Sequence, residues 1–128
     1  MKTSPTQRSL AFLRKSGFTA CIVEKFLPAR GGMKFPRRID AFGFGDLLAC
    51  RGNTGHVSFR DGPNSLPSQI VLVQTTTAVH MADHRAKILA IPEFYKWKEA
   101  GGLVLLHGWS KKGPRGKRKL WQVREEFL

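Results

Sequence analysis

Hydrophobic and polar positions along this chain change period from segment to segment, and the changes predict its elements. Ser4 reads as a helix N-cap, Pro5 as the first helical position and Gln7 as the third. Leu10 and Leu13, with Ala11 or Phe12, supply an apolar stripe, and Arg8 and Lys15 lie on the other face. Gly17 is a natural stop, since glycine accepts positive φ without a steric penalty. From Phe18 to Leu27, Ala20, Ile22 and Glu24 alternate with Thr19, Cys21 and Val23. That predicts a strand ended by Pro28, with a short helix as the alternative.

A basic loop follows over 29–34, and Ile39 to Cys50 reads as a second strand. Gly43 and Gly45 imply a bend, a bulge or a close backbone approach within it. Its end, Leu47-Leu48-Ala49-Cys50, reads as buried on both sides. Residues 51–68 form a polar excursion rich in glycine, asparagine and proline, with a short strand expected at His56-Val57-Ser58-Phe59. Ile70-Val71-Leu72-Val73-Gln74 is the clearest buried strand, prolonged by Thr75, Thr76 and Thr77. Helices are predicted from Met81 to Leu89 and from Pro92 to Ala100, then strands at Leu103–His107 and Leu120–Arg124. The order predicts one small α/β or α+β sheet domain spanning 1–128.

Composition changes this picture in one respect. The chain has 128 residues, 22 Lys+Arg against 9 Asp+Glu and a formal net charge of +13. The length fits a single domain and excludes a barrel of about 250 residues. The charge favours a polyanionic partner, nucleic acid ahead of an anionic membrane. The most concentrated stretch, Lys111-Lys112-Gly113-Pro114-Arg115-Gly116-Lys117-Arg118-Lys119, lies within a basic loop read at 110–119 and contains no acid. Arg115 and Arg118 suit bidentate phosphate contacts and Lys111, Lys112 and Lys117 act as point charges. Arg37, Arg38, His80, His84 and Arg85 are further candidates for phosphate contact. Trp109 and Trp121 flank the loop, either as base-stacking platforms or, more commonly for such residues, as core. No apolar run approaches the ~18 residues of a membrane span. With no signal peptide legible in residues 1–17, a cytoplasmic protein with no membrane partner is expected. Cys21 and Cys50 read as two buried small hydrophobes rather than a disulfide or zinc site.

Acids are scarce, so each carries weight. Asp46 stands directly before an apolar strand segment and after a glycine, where a carboxylate is costly unless paired or bound to a cation. Mg²⁺ would satisfy it, and so would a salt bridge to Arg37, Arg38 or Arg51. Asp40, beside arginines, reads as structural or as an outer ligand. Gln74 is a polar residue in an apolar strand, and Thr76, two residues on, shares its face. His80 and His84 are four apart, a possible zinc pair without an obvious third ligand.

The runs Asp40-Ala41-Phe42-Gly43-Phe44-Gly45-Asp46-Leu47-Leu48-Ala49 and Ile70-Val71-Leu72-Val73-Gln74-Thr75-Thr76 resemble the PD-(D/E)xK nuclease superfamily. They are most similar to its small Holliday-junction-resolvase-like and phage-encoded members. The resemblance implies a restriction-endonuclease-like fold, a central mixed sheet flanked by helices with core order αβββαβ. It places Asp46 at the family's Asp, Gln74 at its Asp or Glu and Thr76 at its Lys. Asp46, Gln74 and Glu24 then hold Mg²⁺ or Mn²⁺, and Lys87, His84 or Lys25 is expected to supply the missing cation. The implied function is a Mg²⁺-dependent DNA endonuclease, with selectivity for branched or junction DNA among the expectations, acting as a homodimer without a small-molecule cofactor. The alternatives are a non-catalytic DNA-binding protein on the same scaffold and an RNA-binding module.

Overall fold

The computed structural model describes residues 3–29, 31, 35–52 and 69–128. Helix α1 (Pro5–Lys15) begins as its sequence predicts: the Ser4 hydroxyl accepts the Gln7 N–H at 3.2 Å, and Gly17 turns the chain at φ 94°. Strands β1 (Thr19–Ile22), β2 (Lys25–Leu27), β3 (Arg37–Ile39), β4 (Leu47–Arg51) and β5 (Gln69–Thr77) follow. A 3₁₀ turn (Ala78–His80) leads into α2 (Met81–Leu89) and α3 (Pro92–Glu99), and the hairpin of β6 (Leu103–Lys112) and β7 (Leu120–Phe127) closes the chain.

The main sheet has the order β1-β4-β5-β6-β7, with β5 and β6 parallel and every other neighbouring pair antiparallel. β2 and β3 make a separate two-stranded ribbon. The fold is therefore α+β, a five-stranded mixed sheet flanked by helices, and it is consistent with a small restriction-endonuclease-like arrangement. Read through the main sheet and its helices, the order α1, β1, β4, β5, α2, α3, β6, β7 contains the expected αβββαβ with α3 and β7 added.

Strand alternation builds two cores. Leu47, Ala49, Val71, Val73 and Leu105 face α1, where Leu13 closes over them. Leu72, Val104 and Leu106 face the other way, onto Met81, Ile88 and Phe94 of α2 and α3. The alternation also decides the polar end of β5. Thr75 continues the row of Val71 and Val73 toward α1, while Gln74 and Thr76 continue the row of Leu72 toward α2.

Several expectations are corrected. The strand expected over 18–27 breaks at Val23 and Glu24, whose N–H groups both donate to the Asp46 carbonyl (2.9 and 3.3 Å). The second expected strand divides too: Asp40–Asp46 is a tight turn closed by an Ala41–Gly45 bridge, with Phe42 at φ 56° and Gly43 at φ 84°. Gly45 is a site of close approach, because a Cβ there would lie 2.5 Å from Leu72 Cγ. Leu47 and Ala49 are fully buried, but Leu48 is only half-buried and Cys50 is exposed. Cys21 is exposed as well, since neither helix covers the far face of the β1 edge. The last two strands run past their expected ends, to Lys112 and Phe127. The predicted strand at 56–59 and most of the excursion around it lie outside the described residues, as does most of the 29–34 loop. Among the described residues no helix is long and apolar enough to cross a membrane.

Candidate metal centre

The carboxyl end of β5 and the turn before β4 meet in an open depression of about 330 Å³. Asp46 is its buried carboxylate, 4% exposed. The Asp46 N–H is held by the Val73 carbonyl at 2.8 Å, which fixes the residue at the mouth of the sheet beside Gln74. Three donors converge on its Oδ2: Gln74 Nε2 (2.8 Å), the Thr75 N–H (2.8 Å) and Thr75 Oγ1 (3.0 Å). Thr6 Oγ1 lies 2.9 Å from Thr75 Oγ1 and completes a chain of hydroxyls from α1 into the site. Oδ1 is left without a protein donor among the described residues.

Asp46 forms no salt bridge among the described residues, so the pairing to Arg37, Arg38 or Arg51 is not what accommodates it. Arg51 instead donates to Gln69 Oε1 at 3.0 Å. Other carboxylates lie next to Asp46. One oxygen each from Glu24, Asp40 and Asp46 lies within 4.8 Å of the others, which gathers three of the chain's nine acids at one point. The two breaks in the expected strands bring this about, because each lifts an acid out of a ladder and turns it toward Asp46.

The electrostatics follow from this crowding. Burial pushes the Asp46 carboxyl up from 3.8 to about 7, against the Thr75 N–H and hydroxyl, while the charge of Asp40 and a hydrogen bond to it raise it further. Two carboxylates this close favour a shared proton or a shared cation. The donor set suits a hard divalent ion, all oxygen and partly buried. Octahedral ligands about 2.1 Å from an ion stand roughly 3 Å apart when adjacent and 4.2 Å when opposite. Oxygens within 4.8 Å of one another are close enough for such an ion to be shared, directly or through a bridging water.

Sequence-predicted residues separate at this site. Asp46, Gln74, Thr76, Glu24, Arg38, His80 and His84 all line the depression. Gln74 is bonded through its amide nitrogen to Asp46 and positions that carboxylate, and Asp40 takes the place in the acidic group expected of Gln74. Lys87 is exposed on α2 and does not line the depression. The basic side chains that do are Arg38, whose Nη1 is 3.5 Å from Glu24 Oε1, and the imidazoles of His80 and His84. Burial lowers the His84 pKa, and the neighbouring charges of Lys87 and His80 lower it further. His80 pairs loosely with Asp83 at 3.8 Å, and neither histidine joins an acidic or cysteine cluster among the described residues. Thr77 Oγ1, at the lip, is a buried hydroxyl without a partner among the described residues, a polar atom that a bound ligand or water would satisfy.

The remaining nucleic-acid candidates lie elsewhere. Arg37 is exposed on β3, one residue off the face that carries Arg38. Arg85 is engaged with Glu126, with its Nε 2.6 Å from Oε1. Lys111 and Lys112 end β6, and Arg115, Lys117 and Arg118 lie in the exposed hairpin loop. Trp109 is core, donating from Nε1 to Ser9 Oγ at 2.8 Å. Trp121 is 42% exposed. The sequence offers Asp40 as structural or as an outer ligand, and it joins the acidic group; residue spacing did not reveal Thr75 as a donor. The signal for Asp40 was the glycine-rich turn between it and Asp46; Thr75, facing away from Gln74, had none.

Comparison of the chain with family models, curated proteins and solved structures finds no match in any of the three.

Proposed function

We propose that this chain is a divalent-metal-dependent endonuclease that hydrolyses phosphodiester bonds in DNA, on a scaffold similar to the PD-(D/E)xK nucleases. One observation carries the reading: three carboxylates, one of them buried, converge at the carboxyl end of a parallel strand in a chain of net charge +13. Glu24, Asp40 and Asp46 would hold Mg²⁺ or Mn²⁺. A divalent cation there supplies Lewis acidity toward a phosphodiester oxygen and lowers the pKa of a coordinated water. Gln74 and Thr75 fix Asp46 Oδ2, which would leave Oδ1 for the ion, and the Thr6 hydroxyl holds Thr75. Arg38 stands where it can exchange Glu24 for a substrate phosphate, replacing the positive charge that Thr76 lacks.

Supercoiled and branched DNA incubated with the protein and Mg²⁺ should be nicked, with EDTA and Asp46→Ala each abolishing cleavage. Cleavage undiminished in Asp46→Ala overturns the assignment. A second reading, DNA binding without cleavage, is favoured by the absence of a lysine among the described residues that line the depression. It predicts Mn²⁺ and DNA binding with no product on any substrate.

A further inference from the structure

The β6–β7 hairpin outruns the rest of the sheet. β5 ends its pairing with β6 at Thr77 and Trp109, so among the described residues Ser110, Lys111 and Lys112 have no strand partner on that side. They continue to pair with β7, through Gln122, Trp121 and Leu120. Three residues carry this two-stranded arm about 10 Å past the end of β5, before the turn at 113–119 adds to its reach. It leaves the sheet at the end that holds the acidic site, one strand over from Gln74 and Thr76.

The arm is cationic and unneutralised. Lys111, Lys112, Arg115, Lys117, Arg118 and Lys119 are all exposed, and among the described residues none has a carboxylate within ion-pair distance. The sequence contains no acid from Ala100 to Arg124. A clasp ties the arm's root to α1: the Arg8 guanidinium stacks 3.6 Å over the Trp121 ring, and the Lys111 ammonium lies 5.2 Å from the same ring. Stacking orients a guanidinium while leaving its in-plane N–H groups for an anion.

We propose that this arm is a β-ribbon that enters the major groove of duplex DNA and holds its phosphates against the carboxyl end of the sheet. The groove of B-form DNA, about 12 Å wide, admits a two-stranded ribbon. The major groove of A-form RNA is too narrow for side chains to reach in. Cations on both faces of the ribbon, Lys111 on the side of α1 and Lys112 on the side of Gln74, then meet both groove walls. The proposal deepens the nuclease reading by assigning it a duplex DNA substrate, but the arm's binding does not depend on the acidic site.

The test is the salt dependence of binding to a labelled DNA duplex, measured by anisotropy in EDTA. Six phosphate contacts give a slope of log K against log salt of about −5, a loss of roughly a thousandfold between about 50 and 200 mM. The variant Lys117→Gln/Arg118→Gln/Lys119→Gln, altered only in an exposed loop, should flatten that slope by about 3. Guanine N7 should be protected from dimethyl sulfate, and an RNA duplex of the same sequence should bind more weakly. An unchanged slope, equal RNA affinity, or binding to anionic phospholipid vesicles but not to the duplex overturns the proposal. Mn²⁺ titration of the same variant separates the two ideas: unaltered metal binding with a flattened slope supports both. A flattened slope in a protein that never binds Mn²⁺ sustains the arm and removes the metal centre.

Discussion

Replacing Asp46 by Asn should remove a pH-dependent loss of stability specific to the metal-free protein. Asn keeps an oxygen for the Thr75 and Gln74 donors and presents an N–H toward Asp40, so it imitates the protonated acid. In the unfolded chain the carboxyl titrates near 3.8, and in the folded protein near 7. Between those values the unfolded state has lost a proton that the native state keeps, so the stability contributed by Asp46 is complete below 3.8 and gone above about 7. That difference, from 3.8 to about 7, is worth on the order of 4 kcal/mol. Urea unfolding in EDTA, from acid to mildly alkaline pH, measures it. Subtracting the variant's curve from that of the wild type cancels the titrating groups that do not neighbour Asp46 and leaves Asp46 with its coupling to Asp40. The difference should fall with rising pH and level off above neutrality. Mn²⁺ at a hundredfold excess over its dissociation constant should restore about 2.7 kcal/mol at alkaline pH in the wild type and nothing in Asp46→Asn. Parallel pH curves for the two proteins, or equal stabilisation of both by Mn²⁺, would refute the reasoning.

Other consequences are as specific. Thr75→Val removes a hydroxyl that holds the Asp46 carboxylate in its ionised form, so calorimetric Mn²⁺ affinity at neutral pH should drop several-fold, and Thr75→Ser should restore it. Ser9→Ala leaves the Trp109 indole N–H and His107 Nδ1 without their common partner; since His107 is fully buried, urea denaturation should show a loss of about 2 kcal/mol or more. A loss below about 0.5 kcal/mol would show that this network is not what holds α1 to the sheet. Burial lowers the His107 pKa, with Glu125 opposing. Its contribution is therefore present above the ordinary histidine value and lost as pH falls toward the lowered one, and His107→Gln should flatten the acid limb of the stability curve. Gly45→Ala would drive a Cβ to 2.5 Å from Leu72 Cγ and should cost about 1–3 kcal/mol in thermal or urea unfolding.

Much of the frame was legible locally. The Ser4 cap, Pro5 and Gly17 delimit α1, and the apolar run Ile70–Val73 marks the central strand of the sheet. Strand periodicity places Gln74 and Thr76 on one face, and both do line the depression. What was not legible depends on residues far apart in sequence. β1 pairs with β4, and that pairing, with both N–H groups of Val23 and Glu24 turned to the Asp46 carbonyl, breaks a segment whose alternation reads as continuous. Asp40 reaches Asp46 through a turn with a non-glycine residue at positive φ, a conformation that periodicity does not report. Periodicity turns the Thr75 side chain off the Gln74 face, yet its N–H lies between the two rows and reaches the carboxylate. The buried group of Ser9, His107 and Trp109 spans about a hundred residues, beyond any local pattern.

The most direct measurement is anomalous diffraction from crystals soaked in MnCl₂, recorded near the manganese edge. A single strong peak bounded by the carboxylates of Glu24, Asp40 and Asp46, absent from Asp46→Ala crystals, is the predicted result. No peak there, or Arg38 drawn in among the three acids in its place, would contradict a metal centre at this end of the sheet.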